Sequence, residues 1–158
     1  MSLHEELVAK LDHLVGLLAE LEQTRPASLE EYLEKSVTRR NAERLTQLIV
    51  QCGGDLCTLV VSERPEIPAP DTLYEAFLQA AAAAAIPRGL AAQLAQWAKT
   101  RNVLVHEYNH LEDESMYATI EPVLGQFSQL AQHVRRFLVS QSAADERESK
   151  PNEREPLA

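Results

Sequence analysis

Leu7, Leu11, Leu14, Leu18 and Leu21 recur at alternating spacings of four and three, and no other feature limits the fold as tightly. With Leu3, Val8 and Val15 widening the stripe, residues 3–23 read as one strongly amphipathic helix. The helical period then returns along most of the chain. It runs through Tyr32, Leu33, Val37, Leu45, Leu48, Ile49, Cys52, Leu56, Leu59 and Val60, with a break expected between Ser36 and Thr38. It returns in Leu73, Phe77 and Leu78 with the run Ala80 to Ala85, in Leu90, Leu94 and Trp97, and from Tyr117 through Ile120, Leu124, Phe127, Leu130 and Val134 to Leu138. Nowhere do apolar and polar residues alternate between turn signals as a strand requires. The pattern predicts an all-α antiparallel bundle of about five helices. Three leucine heptads could also form a seam with another chain, but without ordered charge pairs beside the seam they are expected to pack within the bundle.

Local signals set the boundaries. Pro26 disfavours helical geometry at Arg25 and ends the first helix. Ser28-x-x-Glu31 and Thr72-x-x-Glu75 have the form of capping boxes and start two others. The segment Arg64 to Pro70, with prolines at 65, 68 and 70, is an extended loop. Pro122 should kink the last helix or mark its true start. Gly53-Gly54 falls inside a helix at a cost of about 2 kcal/mol relative to alanine, which predicts a kink or a closely crossing neighbour. Residues 141–158 are polar and read as a disordered tail outside a 1–140 domain.

The chain has 158 residues, enough for a core without staples. Cys52 and Cys57, five apart in an apolar run, match neither a redox pair nor a zinc knuckle and are expected to be core thiols. The N-terminus is acidic where a signal peptide is basic, and no apolar run is expected to reach the roughly 18 residues of a membrane span. The expectation is a cytoplasmic protein without a membrane partner. Net charge is −9, from 24 acidic and 15 basic residues, which opposes indiscriminate nucleic-acid binding. A phosphate-handling site must therefore be local. The densest basic cluster is Arg39, Arg40 and Arg44, either a solvated face paired with Glu34 and Glu43 or an aid to such a site.

The chemistry concentrates between Lys99 and Leu111. On a helix, Arg101, Val105 and Tyr108 continue the stripe of Leu90, Leu94 and Trp97, while Asn102, His106 and Asn109 lie beside it. An arginine on a core-facing stripe needs an anion or acceptors, because burying it unpaired is too costly. Two motifs overlap here. His106-Glu107-x-x-His110 satisfies H-E-x-x-H, two histidines one turn apart that can hold zinc while the glutamate activates water. The extended zinc-protease pattern fails, with Asp113 and Met116 at its later glycine and histidine positions, leaving Glu114 or Glu121 as third ligand. There is also no strand along which a peptide could lie.

The second motif, Arg101-Asn102-x-x-x-His106-x-Tyr108, resembles the R-N-x-x-x-H-x-Y of the HepT toxins in the HEPN superfamily. The likeness extends over residues 30–138 and includes Ala42-Glu43-Arg44, Gln47 and Asp55 on the preceding long helix. Asn109-His110-Leu111-Glu112 is more polar than the usual family run, and Gly53-Gly54 is atypical. The resemblance implies a HEPN-like helical domain and a metal-independent endoribonuclease with no cofactor. It implies a toxin of a type VII-like pair, neutralised when an MntA-like nucleotidyltransferase antitoxin transfers AMP to Tyr108. Residue chemistry agrees: histidine moves protons near neutral pH, and the arginine fork fits a pentacoordinate phosphate. Arg101 and His106 are the expected catalytic pair, with Asn102 orienting the imidazole and Arg101, Arg40 and Arg44 meeting RNA. Arg101 and His106 stand about 140° and 7.5 Å apart on one helix, too far for a tight site in one chain. Two copies about a two-fold axis bring both motifs into one groove, so a homodimer is expected, able to join a larger assembly with the antitoxin. A catalytically silent HEPN module that only binds the nucleotidyltransferase remains the alternative of a different class.

Overall fold

The computed structural model describes residues 1–106 and 113–149, with the backbone alone for 100–106. The leucine repeat forms α1 (Leu3–Thr24), followed by α2 (Leu29–Glu34), α3 (Ser36–Ser62), α4 (Leu73–Ala82), α5 (Arg88–His106) and α6 (Asp113–Ser149). The regular structure among the described residues is wholly helical. The break expected near Ser36 to Thr38 falls at Lys35, whose φ of −98° and ψ of 94° separate α2 from α3. That break resets the helical register. Leu33 and Val37, both counted in the apolar pattern, therefore come out exposed, Val37 by 80%.

α3 touches every other helix, with α1 and α6 packed together on part of its surface and α4 and α5 on another. α1 buries Leu7, Leu11, Leu14, Leu17, Leu18 and Leu21 against α3 and α6, so the heptad seam is consumed inside the chain. Each such burial is worth about 1.5–3 kcal/mol. Val8 and Val15 stay at the solvent edge and do not widen the stripe.

Gly53 and Gly54 are explained by two crossings. A Cβ at Gly53 would stand 2.5 Å from Phe127 Cε1 of α6, and one at Gly54 would overlap Leu73 of α4. Helices on two sides approach the same turn of α3, and α3 runs unbroken through it. Phe127 in turn meets Phe77 of α4 edge to face, ring centroids 6.0 Å apart. α3 is, against expectation, long and apolar enough on average to span a bilayer; its apolar side is the centre of the core.

Pro122 does not start α6, which begins at Asp113; the proline lies in the helix interior. Beside it, Glu121 accepts a 2.6 Å ion pair from Arg25 at the end of α1. This carboxylate holds the guanidinium pKa above its ordinary value. Leu138 is the last buried residue among those described, and the backbone stays helical to Ser149. Residues 150–158 of the tail lie outside the described residues.

Candidate functional site

α4 stops at the alanine run, where Ala84 takes a left-handed φ of 60° and the Ala85 amide bonds back to the Ala80 carbonyl at 3.1 Å. Pro87 then launches α5, its carbonyl accepting from the Ala91 amide. Leu90, Ala91, Leu94, Ala95 and Ala98 are buried, while Ala92, Gln93, Gln96 and Lys99 face solvent. Trp97 packs half-buried and donates from Nε1 to Gln126 Oε1 of α6 at 2.6 Å. The stripe predicted to lead to the motif is therefore the core face of α5.

Arg101, Asn102 and His106 belong to the final turns of that helix. By register at 100° per residue, position 101 continues the buried arc of Leu90 and Leu94, and position 106 falls between the arcs of Ala95 and Lys99 at the solvent border. The side chains of Arg101, Asn102 and His106, and Tyr108, Glu107 and His110 altogether, lie outside the described residues. So does the choice between the two overlapping motifs. Of the candidate third zinc ligands, Glu114 is exposed and Glu121 is engaged by Arg25.

The basic cluster does not act as one patch. Arg39 is half-buried and ties the α2–α3 junction, its Nη1 donating to the Leu33 carbonyl at 2.9 Å. Glu43 accepts from the Tyr32 hydroxyl at 3.0 Å, and the Tyr32 ring lies 5.6 Å from that of Tyr117 of α6, tilted by 50°. Arg40 and Arg44, one turn apart, are exposed and make no ion pair among the described residues. The pairing with Glu34 and Glu43 expected of a solvated face is not what holds them.

Cys52 and Cys57 are core thiols, as their setting suggested. Burial pushes both pKa values up, and Cys57 most. The Cys52 Sγ lies 3.7 Å from the Lys10 carbonyl and 3.9 Å from His13 Nδ1. Neither thiol has the depressed pKa of a nucleophile.

Two features beside the motif escaped the sequence. Asp113 is buried at the first turn of α6, where the helix N-terminus favours a carboxylate. Lys99 holds its ammonium 4.8 Å from the ring centroid of Tyr74, from a helix 25 positions earlier. Neither follows from periodicity, and the Lys99 contact depends on how α4 and α5 dock.

Comparison with known proteins then places the chain among relatives. The family model described as ribonuclease HepT-like matches residues 15–134, a span that begins within α1 and ends within α6. A curated protein, the tRNA nuclease HepT of Aphanizomenon flos-aquae (strain 2012/KM1/D3), is 27% identical over 131 residues, covering 83% of this chain and 88% of that protein.

Proposed function

This chain belongs to the HepT-like ribonuclease family, and from that premise we propose that it is a metal-independent endoribonuclease that cleaves tRNA at a site shared by two copies. One observation carries the reading: the family match encloses Arg101-Asn102-x-x-x-His106-x-Tyr108, whose first three named residues close a helix docked on the core by the stripe leading into them. The named activity of the Aphanizomenon flos-aquae relative suggests tRNA as the substrate class.

His106 of one protomer takes the proton from a ribose 2′-hydroxyl, whose oxygen attacks the adjacent phosphorus. The same imidazolium then protonates the departing 5′-oxygen, leaving a 2′,3′-cyclic phosphate and a 5′-hydroxyl. A histidine suits both roles because its ordinary pKa lies near 6.5. Arg101 of the partner subunit binds the equatorial oxygens of the pentacoordinate phosphate with its planar fork. Asn102 orients the imidazole. Arg40 and Arg44 extend the phosphate contact beyond the reacting group.

Control of such an enzyme falls on Tyr108, two residues past His106. AMP transferred there from ATP by an MntA-like nucleotidyltransferase, with pyrophosphate leaving, adds a phosphate that pairs with Arg101 and competes with substrate. Tethering gives it an effective concentration of order millimolar.

The deciding experiment incubates pure protein with tRNA, with and without chelator, beside His106→Ala and Arg101→Lys. Cleavage should survive the chelator and be lost in both variants. Cleavage that chelator removes returns the H-E-x-x-H reading, and cleavage by His106→Ala refutes this one. Co-expression with the nucleotidyltransferase should add the mass of AMP to the chain but not to Tyr108→Phe. No such increment would leave steric occlusion as the mode of inhibition.

A further inference from the structure

Lys99 projects from the solvent face of α5, and its ammonium rests over the half-buried ring of Tyr74 at the start of α4. It makes no ion pair among the described residues. An exposed lysine ordinarily samples many rotamers and gives up that freedom when it grips a ligand. Here the ring has already restricted it, and the ring's quadrupole attracts the ammonium without neutralising it. The result is a positioned, uncompensated positive charge on a chain of net charge −9.

Its place in the helix gives that charge a use. Asn102 and His106 follow Lys99 by three and seven residues on α5, so positions 99, 102 and 106 share one side of the helix, the first and last about 10 Å apart along the axis. Position 101 falls about 160° round from Lys99, between the arcs of Leu90 and Leu94, and position 102 falls between those of Ala91 and Ala95, which are buried. A strand whose reacting phosphate lies at His106 therefore runs past Lys99 if it follows the solvent edge of α5.

We infer that Lys99, held on the Tyr74 ring, is a subsite for a phosphodiester of the RNA strand flanking the cleaved bond. The inference rests on the ribonuclease reading for its substrate. Lys99 binds as a point charge, with ammonium protons directed away from the ring free to donate to phosphate oxygens. It is a docking residue, outside the reacting atoms. Tyr74 is a positioning residue that acts through Lys99.

The test separates binding from cleavage. Fluorescently labelled tRNA is titrated at several salt concentrations with full-length chain carrying His106→Ala, which stops turnover, alone and combined with Lys99→Met, Lys99→Arg, Tyr74→Leu or Tyr74→Phe. Lys99→Met should weaken binding about fivefold at low salt and lower the slope of log affinity against log salt by about 0.7, as expected for one lost phosphate contact on a single strand. Lys99→Arg and Tyr74→Phe should bind like the parent, and Tyr74→Leu should weaken binding about two- to threefold by freeing the lysine. With His106 intact, Lys99→Met should raise KM by the same factor, leave kcat within about twofold and leave the melting temperature unchanged.

Unchanged affinity and slope in Lys99→Met would overturn the inference, as would a fall in kcat at constant KM. Parent affinity in Tyr74→Leu would remove the ring from it. If the unsubstituted chain cleaves nothing while Lys99-dependent binding persists, the ribonuclease reading falls and the phosphate subsite stands.

Discussion

Five glycines occupy this chain, and their surroundings assign them opposite effects on stability. Gly16 and Gly125 are exposed inside helices with nothing within 4 Å of a built Cβ. Alanine at either should stabilise by about 0.5–1 kcal/mol, the ordinary cost of helical glycine. At Gly53 the same change drives a methyl into Phe127, a fully buried ring that Phe77 already braces. Overpacking of about 1–3 kcal/mol then outweighs the propensity gain. Gly54→Ala should cost less, because Leu73 is half-buried and its side-chain end can turn aside. Urea midpoints of the four alanine variants check the order, and a stabilised Gly53→Ala would mean that α6 does not approach α3 there. Sequence alone detected the anomaly of Gly53-Gly54 and offered a kink or a crossing. Only the positions of Phe127 and Leu73 decide for the crossing, since nothing in the local sequence names which helices meet.

At the scale of elements, what was legible in the sequence was whatever local rules determine. Ser28 and Thr72 each accept from the amide three residues on, at 3.1 Å, as their spacing implied. Their glutamates reach one residue further back than the usual box, Glu31 to the Ala27 amide and Glu75 to the Asp71 amide. The only full reciprocal box among the described helix starts is Ser2 with Glu5, in a segment read solely for its charge. The register across Lys35 was not legible, because Ser36, Val37 and Thr38 fit an unbroken helical period as well as a broken one. Thr72→Ala should lower stability by about 1 kcal/mol. The site makes its effect informative: α4 supports both Leu73 against Gly54 and Tyr74 beneath Lys99. Loosening its first turn is therefore expected to weaken tRNA binding as well, by less than Tyr74→Leu does. A stability loss with affinity unchanged would separate the helix start from the Lys99 contact.

For the whole molecule the open matter is whether one chain or two make the active site. The fold class followed from periodicity, and the motif's place on a core-facing helix followed from the stripe of Leu90, Leu94 and Trp97, buried or half-buried as expected. A two-fold partner leaves no trace in the periodicity of one chain, because an interface between copies uses the same residue types as a solvated face. The separation of Arg101 from His106 supplies the argument instead. Their positions fall about 140° apart around α5, so a site that combines the fork holding the phosphate with the imidazole moving its protons is expected to draw on two protomers. Mixing two inactive variants tests this. In a dimer of one Arg101→Ala chain and one His106→Ala chain, one of the two cross-protomer arrangements loses both groups and the other keeps both. Random reassortment makes half the dimers mixed, so unfolding and refolding the two together should restore about a quarter of the original activity if each site draws arginine and histidine from different copies. If each site used both residues from one protomer, every site in the mixture would lack one group and no activity would return. Recovery that falls with dilution, alongside a dimer mass by light scattering, would identify the shared groove as the catalytic unit.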